Sequence, residues 1–454
     1  MSPSQFSHSP DDLRLTLDRL ITLELGFAWW GIAPAEPVDE DHADALRAWL
    51  AAGRHGEMGW LANHVDLRLD PRKVLPDARS IIVVADRYAP REDESTAVDG
   101  GAYDDAADEG RATATATAGR ELDAKSVRAT GRIARYARGD DYHLRMKKRL
   151  IRLADRMKVI FPQEHFRTAV DTAPLLERDH AVRAGLGYIG KNTLTIRPGE
   201  TSYFFLGEVL TTCDLPHSAP VRTDHCGTCQ RCVDTCPTGA LDRPYTLDAS
   251  KCISYLTIEH RSPIDPRYHE AIGDWIFGCD ICQEVCPHNG GQPRPAPPFA
   301  TPRLTREPGD GRVGDPRALR SAGLPPVQGI YAARRAGFDL LEVLGWTEED
   351  RRQAFVTSAL KRAKLDMMKR NAIIAAGNFI QRSWEAGELT REELESPGST
   401  EAALLLRRIA ELAASSNPDA SYLVQETARV THERINRVIR DGIARPHPRR
   451  ETST

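Results

Sequence analysis

CGTCQRCVDTCPTGAL (226–241) and WIFGCDICQEVCPHN (275–289) decide how this chain is read. In the first, Cys226, Cys229, Cys232 and Cys236 follow a Cx2Cx2Cx3C spacing closed by Pro237. Two residues between ligands let the chain wrap one face of an iron–sulfur cubane, and the proline carries the fourth cysteine toward a second one. The other run, Cys279, Cys282 and Cys286 before Pro287, has the same ending but lacks its first ligand, which would fall at Ile276. Cys252, upstream of that position, is available instead. Cross-ligation then assigns Cys226, Cys229, Cys232 and Cys286 to cluster one, and Cys236, Cys252, Cys279 and Cys282 to cluster two. Only Cys213 is left over, with the plain reading of a small buried residue at a strand end. Zinc knuckles need neither this register nor its trailing proline. Two neighbouring [4Fe–4S] cubanes make a one-electron wire, and a wire needs an acceptor.

Outward from this module the chain divides by composition. All nine cysteines lie between Cys213 and Cys286, which points to metal ligation rather than a disulfide scaffold. A length of 454 residues, 41% hydrophobic, provides for two or three domains. The net charge of −4 excludes a general polycation, so any nucleic-acid surface must be a local patch. The N-terminus shows neither a basic-then-apolar leader nor a twin-arginine pair, and no run is long and apolar enough for a membrane span. The expectation is a cytoplasmic, monomeric protein.

Periodicity predicts helices over 11–25 and 40–52 and a buried strand at 80–88. Residues 91–128, rich in Asp, Ala, Thr and Gly, predict a disordered insertion. Beyond it the pattern gives strand 131–137, a helix from near Asp140 to 160, strand 165–171, helix 174–184, and strands 193–198 and 202–212. This alternation describes an α/β domain over 1–220. The cluster module occupies 221–290, a linker with short elements 291–347, and a helical domain 348–454, with helices at 348–361, 364–383, 400–414 and 419–441. The fold class is α+β. No GxGxxG follows a strand, which weakens the case for a dinucleotide as acceptor.

HGEMGWL (55–61), RLDPRKVLPDARSIIVV (68–84), VDTAPLLERDHAVRAGLGYIGKNTL (170–194), CISYLTIEHR (252–261) and the two cysteine runs together resemble epoxyqueuosine reductases. The resemblance spans about residues 10–290; the 91–128 insertion departs from it. It implies an enzyme whose N-terminal α/β domain binds cobalamin. Electrons would pass from a ferredoxin-like two-[4Fe–4S] domain to that cofactor, and the epoxide of epoxyqueuosine at the tRNA wobble position would be reduced to queuosine. The electron donor is not identified by any motif. MKRNAIIAAGNF (368–379) resembles the HEAT-like region of longer members.

Carried over residue by residue, the resemblance makes Asp171 the proton donor, with a pKa raised by desolvation under the corrin. By itself, Asp171 reads as a helix cap. Arg68, Ser254, Asp280, Lys191 and Asn192 are implied as cobalamin contacts. Their plain readings are a solvated charge for Arg68 and a cap for Ser254. His260 and Arg261 are implied as tRNA contacts. Basic stretches at 131–158 (ten Lys/Arg against three Asp) and 425–450 (seven Arg against three acids) are phosphate-binding candidates, though such helices are commonly just solvated. Two other readings compete. A reductive dehalogenase would carry an export signal and use a tyrosine donor; a non-enzymatic electron carrier would not need the long α/β region ahead of the clusters.

Overall fold

The computed structural model describes residues 10–92, 128–291, 325–327, 329–396, 400–414 and 420–441. Nearly all of the expected insertion, and the Pro/Gly-rich part of the expected linker, lie outside these. The first sheet comprises β1 (Trp29–Pro34), β2 (Ser80–Arg87), β4 (Phe166–Ala169) and β7 (Phe204–Thr211), in the order β1-β2-β7-β4. A separate strand, β3 (Thr130–Ile133), lies between β2 and β4 in sequence. Every pairing in the first sheet is antiparallel, which corrects the expected α/β domain: the alternation of strand and helix was legible, but not the direction of return.

Every residue of β2 is buried, because helices cover both faces of the sheet. Successive side chains on a strand point to opposite faces. Ile82 and Val84 therefore meet α1 (Pro10–Asp18) and the long helix Tyr142–Ile160, while Ile81 and Val83 meet Ala181 and Ala184 on the opposite face. Each such aliphatic side chain contributes about 1.5–3 kcal/mol by leaving water. β1 was not anticipated. Its Gly31 is required by packing, since a Cβ there would stand 2.0 Å from the Ala184 carbonyl oxygen.

In chain order the next helices are α2 (Glu40–Ala51), α3 (Val65–Leu69), α4 (Tyr142–Ile160) and α5 (Glu177–Arg183). A hairpin of β5 (Tyr188–Ile189) and β6 (Thr195–Ile196) follows. The cysteine module contains α6 (Arg231–Asp234), α7 (Ile253–Ile258), α8 (His269–Ile272), β8 (Trp275–Phe277) and α9 (Ile281–Glu284). A second sheet, β8-β3-β9, places β3 between parallel β8 and antiparallel β9 (Gly337–Asp339). One small sheet thus ties together segments from the N-terminal, cysteine-rich and C-terminal regions. Gly131 permits the approach: a Cβ there would collide with the side chains of Ile276 and Leu340.

The C-terminal region is helical, with α10 (Leu340–Gly345), α11 (Glu348–Ala354), α12 (Leu365–Glu385), α13 (Arg391–Glu395), α14 (Glu401–Ala413) and α15 (Tyr422–Asp441). Its core is continuous with Ile133, Ile276 and Phe277. At the centre, α12 buries polar as well as apolar groups. Arg370, fully buried, donates to the carbonyls of Leu256 (2.6 Å), His260 (2.7 Å) and Ser262 (2.8 Å). Asn371 Nδ2 donates to the carbonyls of Thr257 (2.9 Å) and Ile276 (2.8 Å), and Asn378 Nδ2 to those of His269 and Gly273. Apart from that of Ile276, which lies in β8, these carbonyls lie at turns and helix ends of the cysteine module, where helix carbonyls lack partners in their own helix. No helix among the described residues is long and apolar enough to cross a membrane.

Candidate functional site

The loop before α6 brings Cys226, Cys229 and Cys232 around a cavity that Cys286 closes from the end of α9. The cavity has a volume of about 30 Å³, and Lys191, Asn192, His225 and His288 share its lining. Tyr188 Oη stands 3.5 Å from Cys226 Sγ. The second set is traced by charge. Burial pushes Cys252 up to about 11, with Cys236 as the nearby charge that adds to it. Cys279 and Cys282 are pushed well above the ordinary thiol range by burial and then by each other or by Cys252, with Cys236 contributing to both. Cys286 is pushed up to about 12 by burial, with Cys226 and Cys229 beside it. Thiols that repel within two such groups become thiolates readily once iron is bound. Cys232 and Cys282 are where the two groups feel each other. The eight cysteines fall into two sets of four, the number of thiolates a [4Fe–4S] cubane takes. The cysteines fit cubanes.

Lys191 and Asn192 occupy the turn of the β5–β6 hairpin, at the clusters. Lys191 Nζ donates to the carbonyls of Gly227 (2.5 Å) and Cys229 (3.1 Å). Asn192 Nδ2 reaches the Cys282 carbonyl at 3.5 Å. Asp280, 1% exposed, accepts from the Arg135 backbone N–H (2.6 Å) and from Gln283 (3.3 Å), so it braces the second sheet's loop against α9. Burial pushes it up to about 6. Ser254 is half-buried in the first turn of α7, just beyond Cys252.

Asp171 sits on the loop after β4 with φ 42°, a left-handed conformation unusual for a non-glycine residue. Its Oδ2 accepts from Tyr142 Oη (2.8 Å) and lies 3.1 Å from His143 Nε2, while His143 Nδ1 is 2.8 Å from Asp141. The Tyr142 ring is held by stacking on Phe205 at 4.0 Å. Burial pushes the Asp171 carboxyl up, but the hydrogen bonds from His143 and Tyr142 and the charges of His143 and Arg178 outweigh it. These partners hold the carboxyl below its usual range; the expected upward shift is for a carboxyl covered by the corrin. Burial lowers His143, yet its bonds to Asp141 and Asp171 raise it to about 9. The pair therefore keeps its proton on the imidazole at neutral pH. The sequence places Tyr142 and His143 only inside a basic stretch; the partner that gives them meaning lies beyond the next strand, with no local signal.

The Asp171 side chain is 57% exposed, yet its surroundings desolvate it, as expected at the bottom of a recess rather than on a convex surface. Arg178 feels the charges of both Asp171 and Cys282, so the recess lies next to the second cysteine set. Tyr136 and Arg362 sense the Asp171 charge from the other walls. Trp60, 46% exposed, is flanked by Arg68 at 5.7 Å and Arg362 at 5.8 Å. The buried Arg68 Nε has no hydrogen-bond partner among the described residues. Beneath Asp171, Glu177 accepts from its backbone N–H and is pushed well above the usual range by burial, Glu208 and Asp171.

His260 is fastened inside the structure by Tyr255 Oη (3.2 Å), the Pro263 carbonyl (3.2 Å) and Glu57 (3.3 Å). Arg261 is more open, though its backbone N–H is held by Glu57 and a guanidinium nitrogen by Met367 Sδ. In the first basic stretch Lys147, Lys148 and Arg152 are exposed, whereas Arg132 and Arg149 pair with Glu284 and Asp86. On α15, Arg437 and Arg440 face outward and Arg434 turns inward to Asn378 and Gln381. Arg445, Arg449 and Arg450 lie outside the described residues.

Known proteins share both the cysteine module and the strands ahead of it. Residues 225–289 match the family model described as 4Fe-4S double cluster binding domain, and residues 68–172 match that described as Epoxyqueuosine reductase QueG, DUF1730. The chain is 33% identical over 423 residues to the epoxyqueuosine reductase of Escherichia coli (strain K12), covering 93% of this chain and 95% of that protein. It is 35% identical over 355 residues to that of Pseudomonas aeruginosa, covering 78% and 82%. Among solved structures, an epoxyqueuosine reductase with an epoxyqueuosine-modified tRNA-Tyr stem loop superposes with TM-score 0.63 at 22% identity, over 95% of this chain and 100% of that one. A Bacillus subtilis epoxyqueuosine reductase, described with its catalytic aspartate loop swung out of the active site, superposes with TM-score 0.62 at 22% identity, over 94% and 99%.

Proposed function

The chain belongs to the epoxyqueuosine reductase family, and from that premise we propose that the recess beside the second cysteine set is its active site, with cobalamin bound there and Asp171 and His143 supplying the proton. The reaction consumes two electrons and two protons: the epoxide oxygen of epoxyqueuosine leaves as water and queuosine remains. The protein is an oxidoreductase, and its double-cluster domain holds two [4Fe–4S] clusters. The observation that carries the proposal is the Asp171–His143 pair, desolvated in a recess that also senses Cys282.

The residues present fit cobalamin. The exposed part of the Trp60 ring and an Arg68 Nε with no hydrogen-bond partner among the described residues suit a large ring bearing amide side chains. When bound, cobalamin supplies a metal centre able to pass electrons to carbon. The protein's own part is proton management. His143 stores the proton, Asp171 relays it, and Tyr142 with the Glu177–backbone bond fixes the carboxylate's direction. Ser254 contacts the cofactor from α7; Lys191, Asn192 and Asp280 act instead through the cluster loops. Substrate tRNA is drawn in by exposed Lys147, Lys148, Arg152, Arg261, Arg437 and Arg440, whose phosphate contacts set affinity rather than chemistry. We place the reaction in the cytoplasm, with the protein acting as a monomer served by a separate electron donor. The test is to incubate reduced enzyme with epoxyqueuosine-containing tRNA and follow the nucleoside by mass spectrometry. Loss of one oxygen atom is expected; an unchanged nucleoside, with clusters and cobalamin both present, rejects the assignment.

A further inference from the structure

The turn of the β5–β6 hairpin touches both cysteine sets. Lys191 points to one and Asn192 to the other. Lys191 is 7% exposed, so bulk water does little to screen its charge. Both of its hydrogen-bond partners are backbone carbonyls of the Cys226–Cys232 loop, so no acid among the described residues pairs with that charge. Arg231, another cation on the same cavity, is turned to the Gly291 carbonyl at 3.1 Å. The first set has Asp224 beside Cys226, whereas the second set is surrounded by charges of both signs, with Arg178 sensing Cys282 and Arg135 and Arg138 facing Asp280. Asp280 and Glu284, 1% and 3% exposed, flank its loop, and Glu284 already has Arg132 at 2.7 Å. Reducing a cluster adds one negative charge. Nearby fixed charge, hydrogen bonds and solvent access then decide how readily it is accepted.

We propose that Lys191 sets the potential of cluster one and makes it the resting place of the first electron to enter. Lys191 is a positioning residue in this role, and the inference rests on the two-cluster reading of the site, not on cobalamin or tRNA. The balance is one electron per step. A low-potential one-electron carrier is oxidised as cluster one is reduced, and cluster one is reoxidised as cluster two is reduced. Cluster one therefore fills first and waits.

The test is a potentiometric titration of the two-cluster holoprotein, followed by electron paramagnetic resonance, on wild type, Lys191→Gln, Lys191→Arg and Asp280→Asn. Lys191→Gln keeps a donor but loses the charge. It lowers one midpoint so that the equilibrium constant for reducing that cluster falls tenfold or more, about 59 mV for a one-electron couple. Lys191→Arg keeps that equilibrium constant within threefold of wild type. Asp280→Asn raises the other midpoint, which assigns the two signals. Unmoved midpoints in Lys191→Gln, equal movement of both, or an Arg variant that behaves like Gln overturns the proposal. A fall in iron content in Lys191→Gln overturns it as well, since Lys191 is then only a strut. Wild-type protein without cluster signals would instead refute the underlying cluster reading.

Discussion

Cluster one and cluster two are held by the same kind of sequence run but by different kinds of structure. Three of cluster one's ligands come from a single loop, and its lining is completed by the adjoining hairpin. On the proposed ligand assignment cluster two draws Cys252 from the start of α7, Cys236 from the first run and Cys279 and Cys282 from the second; the C-terminal helix α12 bonds the backbone between Cys252 and Cys279. Thr257 adds a stitch, accepting the Gly278 N–H at 2.9 Å just before Cys279. A site made of local chain can assemble by itself. One made of distant chain needs a brace, and in return its walls can serve as the floor of the recess.

That contrast is most exposed at the displaced ligand. Cys252→Ala is expected to abolish turnover and to take iron from roughly eight to roughly four per chain while cluster one persists; full iron loading would break the ligand assignment. Asp171→Ala should reduce turnover by about 10²–10⁴-fold with iron content unchanged, separating the recess from the clusters beneath it; near-wild-type rates would remove Asp171 from the chemistry. Asn371→Leu leaves two buried carbonyls unpaired, which costs about 1–3 kcal/mol each. Denaturant melts should show that loss, and a chelator should strip cluster two faster than cluster one. Equal stripping rates would mean that α12 does not favour either site.

The smallest effect is one of pH. His143 is raised to about 9 from an ordinary 6.5, so its protonated form favours the folded state. That contribution is complete below about pH 6.5 and is lost as pH rises toward 9. Turnover should be level through neutrality and fall above about pH 9, and His143→Gln should abolish the alkaline limb. A wild-type rate that instead rises above pH 9 would exclude an imidazolium proton store.

The cysteine spacing made most of the expected cluster one legible, because three of its four assigned ligands are neighbours in sequence. Cys252 was assigned to cluster two because the second run lacked a ligand and it lay nearest ahead of that run. Helix periodicity located α2, α4, α12, α14 and α15 to within a few residues. What escaped was tertiary. β1 lacks alternation and is defined by its pairing with β2, and β9 is a very short strand that exists through β3. The partners of Asp171 escaped for the same reason: desolvation can be anticipated from a resemblance, but His143 and Tyr142 arrive from another element. Lys191 and Asn192 were expected at the cobalamin and stand at the clusters, since a motif does not say which side of a hairpin its turn faces.

The α12 brace also imposes an order on synthesis. A chain leaving the ribosome from its N-terminus has presented every cluster cysteine once Cys286 emerges, yet Asn371 follows only after the whole linker and the first C-terminal helices. Until then the segment carrying Cys252 has the Thr257–Gly278 stitch but lacks the α12 hydrogen bonds that bridge it to β8. Cluster delivery to this protein thus meets two substrates in time: a nascent chain with one nearly finished nest, and a completed chain with two.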